Sequence, residues 1–82
     1  MIMKLSIYSL KKILYEGDAK SINCRTIDGE ITILDGHRPL VSTLKEGVIR
    51  IADEQSKDHY VKAASGFLEV MPANRVRFIV EE

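Results

Sequence analysis

Apolar and polar residues alternate along much of this chain with a period of two residues. In the clearest run, residues 75–80, Val76, Phe78 and Val80 alternate with two arginines and an isoleucine. Successive side chains of a β-strand point to opposite faces, so this pattern predicts a strand that buries its three apolar residues. The same period recurs in residues 3–7, 21–25, 31–33 and 49–51.

Turn signals separate these runs at short intervals. They are Glu16-Gly17-Asp18, Asp28-Gly29, Asp35-Gly36, Lys45-Glu46-Gly47, residues 53–58 and Pro72-Ala73-Asn74. An Asp-Gly pair favours a type I′ hairpin turn, which needs positive φ at both central residues. Short strands at this spacing are typical of an all-β sandwich or barrel. A chain of 82 residues is long enough for one domain, and we predict a single domain over residues 1–82.

The segment from residue 9 to residue 15 allows two interpretations. Leu10, Ile13 and Leu14 fit one face of a helix that begins after a capping Ser9. Seven residues make a short helix with little stability of its own. We therefore predict a turn followed by a strand.

Composition excludes several classes of function. Twelve basic and twelve acidic residues give a net charge of zero, whereas nucleic-acid-binding domains usually carry a basic excess. The single cysteine, Cys24, cannot form a disulfide within the chain, which suits a reducing compartment. No run approaches the ~20 apolar residues that cross a bilayer, and no signal peptide is visible, so we expect no direct insertion into lipid.

Catalytic and metal-binding motifs are missing from the sequence. Asp35 and His37 offer two metal ligands, but a metal site needs three or four at compatible spacing. We interpret Cys24 as a small buried apolar group. Ser65-Gly66-Phe67 is interpreted as a bend or bulge at the start of a strand rather than as a nucleophile. We therefore expect no catalysis, no cofactor and no metal.

The stretch of residues 35–39 is the strongest candidate for a binding loop. Gly36 and Pro39 shape its backbone, which leaves His37 and Arg38 free to project. Loops held on a rigid sandwich commonly carry binding residues. The turn at residues 28–30 lies at the opposite end of the intervening strand, unless the sheet folds the two turns together.

Several motifs together resemble the ε subunit of F-type ATP synthases. The central one runs Gly29-Glu30-Ile-x-Ile-Leu34-x-Gly36-His37-x-Pro39-Leu40-Val41. Further matching elements are Leu5-x-Ile7, Leu14-Tyr15-Glu16-Gly17, Leu44-Lys45-x-Gly47-Val48-Ile49-Arg50-Ile51, Ser65-Gly66-Phe67-Leu68-Glu69-Val70 and Asn74-x-Val76. The resemblance spans residues 3–80, with the motifs in one order and near-constant spacing.

This resemblance implies a ten-stranded β-sandwich on the central stalk of a rotary motor. The ε subunit is not catalytic; it joins the γ subunit to the membrane-embedded ring of c subunits and couples ion translocation to ATP synthesis. Its location would be peripheral, at the cytoplasmic face of the bacterial inner membrane or the equivalent side of another energy-transducing membrane.

The resemblance also implies two sets of contact residues. The ring-facing set surrounds Glu30 and His37 and comprises Asp28, Gly29, Glu30, Asp35, Gly36, His37 and Arg38. The set nearer the γ subunit comprises Leu40, Val41 and Ser42. Docking by one end of the sandwich requires Glu30 and His37 to lie at the same end, and we state this as a prediction.

Three departures from the family pattern stand out. Asp35 replaces the proline that is usual before Gly-His. The second glycine of the family's Ser-Gly-Gly element is missing, since Ala64 precedes Ser65-Gly66-Phe67. The sequence ends at Val80-Glu81-Glu82, without the C-terminal helical hairpin of many family members. We expect either a shortened chain or a natural short form, and in both cases no hairpin inhibition and no ATP binding by this chain.

Two other functions remain open at this level. One is a small β-sandwich that uses the same loops to bind an unrelated protein. The other is a small enzyme with a site around Glu30, Asp35 and His37.

Overall fold

The computed structural model describes residues 2–82, and within them the chain forms nine β-strands. Their bounds are β1 Met3–Tyr8, β2 Ile13–Ala19, β3 Ser21–Thr26, β4 Gly29–Leu34, β5 Leu40–Leu44, β6 Gly47–Ala52, β7 Asp58–Ala63, β8 Ser65–Met71 and β9 Arg75–Glu81. The all-β prediction is confirmed, with nine strands in place of about ten.

The strands follow one hydrogen-bonded path that folds into two layers. The path runs β2-β1-β9-β8-β5-β3-β6-β7, and β4 pairs with β3 beside it. The first layer contains β2, β1, β9, β8 and β5, and the second contains β4, β3, β6 and β7. Thr26 of β3 pairs with Leu44 of β5 and joins the layers. Strands β1 and β9 are parallel, whereas the other pairs are antiparallel.

A single apolar core lies between the layers, and every strand contributes to it. The predicted alternation in residues 75–80 is confirmed, because Val76, Phe78 and Val80 are all buried. Cys24 is buried as predicted, and burial raises the pKa of its thiol to about 11. Burial disfavours the thiolate, which fits a side chain that serves as a small apolar group.

The segment from residue 9 to residue 15 forms a turn followed by β2, as predicted. The Ser9 hydroxyl oxygen accepts hydrogen bonds from the backbone N–H groups of Lys11 and Lys12, both at 3.2 Å. This arrangement closes a local turn instead of starting a helix.

The predicted turn at residues 16–18 is wrong. Gly17 lies inside β2, opposite Leu5 of β1, with an extended backbone. The Tyr15 ring lies beside Gly17, and its hydroxyl is 3.7 Å from the position of an added Cβ, an ordinary van der Waals distance. Gly17 is therefore a strand residue beside an aromatic ring, and a glycine in the sequence does not by itself distinguish a strand position from a chain reversal.

The turn at Asp28-Gly29 joins β3 to β4 in a hairpin, but not with the predicted geometry. Thr26 pairs with Gly29, so the two central residues are Ile27 and Asp28. Both keep negative φ, and only Gly29, which follows them, has positive φ at +120°. A type I′ turn is therefore excluded, since it needs positive φ at both central residues.

The bend or bulge predicted at Ser65-Gly66-Phe67 is wrong, because Gly66 pairs in register with both Leu44 of β5 and Val80 of β9. Gly66 instead allows two strands to approach closely. It lies within β8, and a Cβ added there would stand 2.8 Å from the Val80 Cα of β9 and would also overlap the Ile79 carbonyl oxygen. Its φ of +148° is likewise unfavourable for other residues. The position therefore requires glycine for two independent reasons.

Candidate functional site

Strand β4 separates the two halves of the predicted ring-facing set. Glu30 is the second residue of β4, whereas His37 lies three residues beyond its end at Leu34. Six residues of strand span about 17 Å. All six pair with β3 without interruption, so β4 cannot fold back to bring its ends together. The prediction that Glu30 and His37 share one end of the sandwich is wrong.

The same separation argues against the alternative of a small enzyme with a site around Glu30, Asp35 and His37. An enzyme using Glu30 together with Asp35 and His37 would need these side chains within hydrogen-bond reach of one reacting group. The length of β4 keeps Glu30 away from the other two. Among residues 2–82, no cluster of three or more His, Cys, Asp or Glu side chains could hold a metal ion.

The first half of the set lies on the β3–β4 hairpin, here called the hairpin end (residues 27–30). The buried Thr26 hydroxyl donates to the Gly29 carbonyl at 2.9 Å and accepts from the Asp28 N–H at 3.1 Å. The Ile27 N–H donates to the Thr43 carbonyl at 3.0 Å and ties the hairpin to β5. The exposed carboxylates of Asp28 and Glu30 are therefore carried on a rigid support.

The second half lies on the β4–β5 connection, here called the loop end (residues 35–38). The Gly36 N–H donates to the Asn74 side-chain oxygen at 2.9 Å, and the Asn74 amide donates to the Asp35 carboxylate. Gly36 has a φ of +78° and Asn74 a φ of +55°, so both occupy left-handed conformations that these residue types tolerate. These two hydrogen bonds, here called the clasp, hold the loop against the β8–β9 turn.

This clasp accounts for the departure at Asp35. A proline would stiffen the loop through its ring, whereas the carboxylate here stiffens it by accepting a hydrogen bond from Asn74. Asn74 was identified in the sequence only as part of a turn and of the Asn-x-Val motif. Its role in the loop depends on two turns 38 residues apart in the chain meeting in space.

The His37 imidazole has a defined orientation on the surface. Its Nδ1 lies 2.7 Å from the Arg38 carbonyl oxygen, which can only accept, so Nδ1 carries a proton. The His37 N–H donates to the Leu34 carbonyl at 3.1 Å and closes the turn. With Nδ1 engaged, Nε2 is the ring atom available to a partner.

The predicted γ-facing residues differ in direction. Leu40 and Ser42 are half-buried and pair with buried residues of β8, whereas Val41 points outward and is 71% exposed. Val41 lies opposite Glu69, whose carboxylate accepts from Arg77 at 2.6 Å. Of the three, only Val41 presents its side chain to a partner.

A cluster that sequence reasoning missed joins the two outer strands of the path, β2 and β7. The rings of Tyr15 on β2 and His59 on β7 meet edge to face, with centroids 5.4 Å apart. His59 Nε2 lies 2.8 Å from Asp53 Oδ2, while Asp53 Oδ1 accepts the N–H groups of Gln55 and Lys57, each at 2.9 Å. Burial raises the pKa of Tyr15, with Asp53 and Asp18 contributing.

The hydrogen bond from His59, together with those from Lys57 and Gln55, lowers the pKa of the Asp53 carboxyl. An aspartate at the start of a polar loop, whose side chain accepts a hydrogen bond from the backbone N–H two residues later, is a recognisable turn signal. Its pairing with His59 was not readable from the sequence, because the two residues sit in separate runs.

Within residues 2–82, no helix has the length and apolar character needed to span a membrane.

Comparison with known proteins relates this sandwich to a family. Residues 2–82 match the family described as ATP synthase, delta/epsilon chain, β-sandwich domain. A chain from the cryo-EM structure of the Euglena gracilis mitochondrial ATP synthase OSCP/F1/c-ring in rotational state 1 is similar, with a TM-score of 0.92 and 23% identity. That similarity covers 99% of this chain and 51% of that chain.

A second similar structure comes from the central stalk and c-ring of the Tetrahymena thermophila mitochondrial ATP synthase. The TM-score is 0.81 at 15% identity, over 98% of this chain and 63% of that chain. This chain therefore spans 51% and 63% of the length of the two neighbours. At these identities the likeness shows a shared fold.

Proposed function

This chain belongs to the ATP synthase delta/epsilon β-sandwich family, and we propose that it is a non-catalytic central-stalk subunit of an F-type ATP synthase. In this role it links the γ subunit to the c-ring, so that rotation driven by ion flow reaches the catalytic head. The observation that carries the proposal is the family match over residues 2–82.

A linking subunit has to hold two partners at once, and the separation of the two ends of β4 suits that task. Two partners that bound the same end would compete for it. The hairpin end and the loop end lie about 17 Å or more apart along β4. We therefore assign one partner to each end.

The c-ring contact is proposed at the hairpin end, through Asp28, Gly29 and Glu30. Within residues 2–82, neither carboxylate lies within 4.0 Å of a basic side chain, so both are available to a partner. Exposed charges of this kind mainly set orientation and association rate, which suits docking onto polar loops of a ring. Several weak contacts with neighbouring ring subunits would reinforce one another.

The γ contact is proposed at the loop end and the strand that follows it. Val41 supplies an exposed apolar side chain, and Asp35, Gly36, His37 and Arg38 precede it on the clasped loop. These four residues thus move from the ring-facing set to the γ-facing set, because they adjoin Val41 and not Glu30. Leu40 and Ser42 support this surface from beneath.

In this role the protein would work at the membrane surface without entering lipid. The proposed position is the cytoplasmic face of a bacterial inner membrane, or the equivalent side of another energy-transducing membrane.

The test is co-purification with the γ subunit of the same organism, using Val41→Glu and a matched control, Val48→Glu. Val48 is also a partly exposed valine, 46% exposed, but it lies on β6 in the second layer. We expect stable one-to-one binding of the wild type, at least tenfold weaker binding of Val41→Glu, and unchanged binding of Val48→Glu.

The ring contact is tested with the reconstituted central stalk and c-ring, using Glu30→Arg and the control Glu16→Arg on β2. Only Glu30→Arg is expected to weaken ring binding. A wild-type chain that binds neither γ nor the ring would contradict the stalk role and favour a sandwich that binds an unrelated protein.

A further inference from the structure

Strand β4 presents an open edge. Within residues 2–82, β4 pairs with β3 alone, whereas β3 continues on its other side to β6 and, through Thr26, to β5. The outward side of β4 therefore carries backbone groups that the fold does not use.

Hydrogen bonds around β3 identify these backbone groups. The Arg25 carbonyl accepts from Lys45 at 2.9 Å, and the Ile27 N–H donates to Thr43 at 3.0 Å, so these two residues direct their backbone groups towards the β5 side. Backbone groups alternate sides along a strand, so Cys24 directs its own towards β4 and its partner Ile31.

The same alternation continues along β4. The backbone N–H and C=O groups of Ile31 and Ile33 point towards β3, while those of Glu30, Thr32 and Leu34 point away from it. The Leu34 carbonyl already accepts from His37. The N–H groups of Glu30, Thr32 and Leu34 and the carbonyls of Glu30 and Thr32 are left for a partner.

This edge has few of the devices that usually protect an edge strand. It contains no proline and a single charged residue, Glu30, and it ends in Leu34, which is 56% exposed. Such an edge is a template for pairing with another chain. By contrast, the outer strands β2 and β7 are brought together by Tyr15 and His59.

We propose that the open edge of β4 accepts an extended segment of the γ subunit as an added strand. The inference rests on the proposed function and specifies how the γ contact is made. The γ subunit is the chosen occupant because the β4–β5 loop carries the chain directly from this edge to Val41, the residue proposed above to contact γ. Main-chain hydrogen bonds would provide affinity, and the alternating side chains of β4 would provide specificity.

Hydrogen exchange on the wild-type protein tests this directly. In the free protein the amides of Glu30, Thr32 and Leu34 exchange rapidly, whereas those of Ile31 and Ile33 are protected by β3. On binding γ, we expect at least a tenfold slowing at residues 32 and 34, whereas Glu30 belongs to the hairpin end assigned to the c-ring. Unchanged exchange at these two amides in a saturated complex overturns the proposal.

A matched pair of variants tests the same edge by affinity. Thr32→Pro removes an outward N–H that β3 does not use, and prolines are tolerated on the free side of edge strands. Thr32→Ala keeps the N–H. Both variants lose the Thr32 hydroxyl, which accepts from the Asn23 amide at 3.0 Å, so this loss cancels in the comparison. Circular dichroism checks that each variant folds.

We expect Thr32→Pro to bind γ at least tenfold more weakly than Thr32→Ala. Equal binding by the two folded variants overturns strand addition while leaving the stalk role intact. Absence of γ binding by the wild type defeats the proposed function itself. Protection of the Thr32 and Leu34 amides that rises with protein concentration in the absence of γ assigns the edge to a second copy and also overturns the proposal.

Discussion

The two sides of this sandwich treat their outer strands differently. On the closed side, β2 and β7 are joined by the edge-to-face rings of Tyr15 and His59, and His59 is held by Asp53. On the open side, β4 has a free backbone edge with its exposed Leu34 beside it. On the closed side, side chains form contacts within the domain, whereas on the open side backbone groups of β4 are available to another chain.

This contrast separates stability from recognition. Substitutions at the closed side are expected to change the free energy of unfolding, because the contacts there lie inside the folded chain. Substitutions on the outward face of β4 should leave stability almost unchanged and act on binding. The following predictions probe that division, beginning with the largest expected effect.

The inner face of β4 belongs to the core although its edge is open. Ile33 is fully buried, so Ile33→Ala should lower the free energy of unfolding by about 2–5 kcal/mol. Leu34→Ala, on the exposed neighbour, should change it by less than about 0.5 kcal/mol. Urea denaturation measures both. Similar losses for the two variants would mean that β4 is covered on both faces.

The contact between the Tyr15 and His59 side-chain rings should contribute measurably to the free energy of unfolding. Tyr15→Leu removes an aromatic pair, worth about 0.5–1.5 kcal/mol, and the hydrogen bond from the Tyr15 hydroxyl to the Asp18 carbonyl, worth about 0.5–1.5 kcal/mol. A total loss of about 1–3 kcal/mol is expected. Tyr60→Leu is the control, because Tyr60 is 64% exposed on β7. An equal effect at Tyr60 would remove any special role for the closed side.

The Asp53–His59 contact predicts a dependence of stability on pH. The folded pKa of Asp53 lies below that of the unfolded chain, about 3.9, so its contribution is present above that pH and is lost as pH falls through the folded value. Asp53→Asn should therefore lower the Tm at pH 7, and the difference from wild type should shrink below about pH 4. Thermal melts across pH 3–7 check this, and a difference that is constant with pH would contradict it.

The thiol of Cys24 reports whether the open side opens locally. Cys24 is buried on β3 opposite Ile31, and its pKa is raised to about 11. A disulfide reagent at pH 8 should react only as the protein unfolds, with the same urea midpoint as circular dichroism. Rapid reaction without urea would show that β3 and β4 separate in the native state. Because an unfolded thiol has a pKa of about 8.5, this group should lower stability only above about that pH.

The sequence by itself determined the strands and much of their placement. The period of two in residues 75–80 predicted which side chains are buried, because a strand alternates its faces whatever it packs against. The motifs from Leu5 to Val76 indicated the family. Turn signals were reliable where glycine or asparagine needed positive φ, as at Gly36 and Asn74. They failed at Gly17, which lies inside β2 and pairs with Leu5 of β1.

Only the tertiary structure decided how the candidate surfaces are arranged. Glu30 and His37 are close in sequence but lie at the two ends of β4, since a paired strand keeps its ends apart. Asp35 and Asn74 are far apart in sequence but share a hydrogen bond, since the path of the sheet brings their turns together. The open edge of β4 was likewise invisible, because a residue pattern shows which face is buried but not which neighbour completes the ladder. Local periodicity follows from the covalent chain, whereas strand order and unused backbone groups follow from long-range pairing.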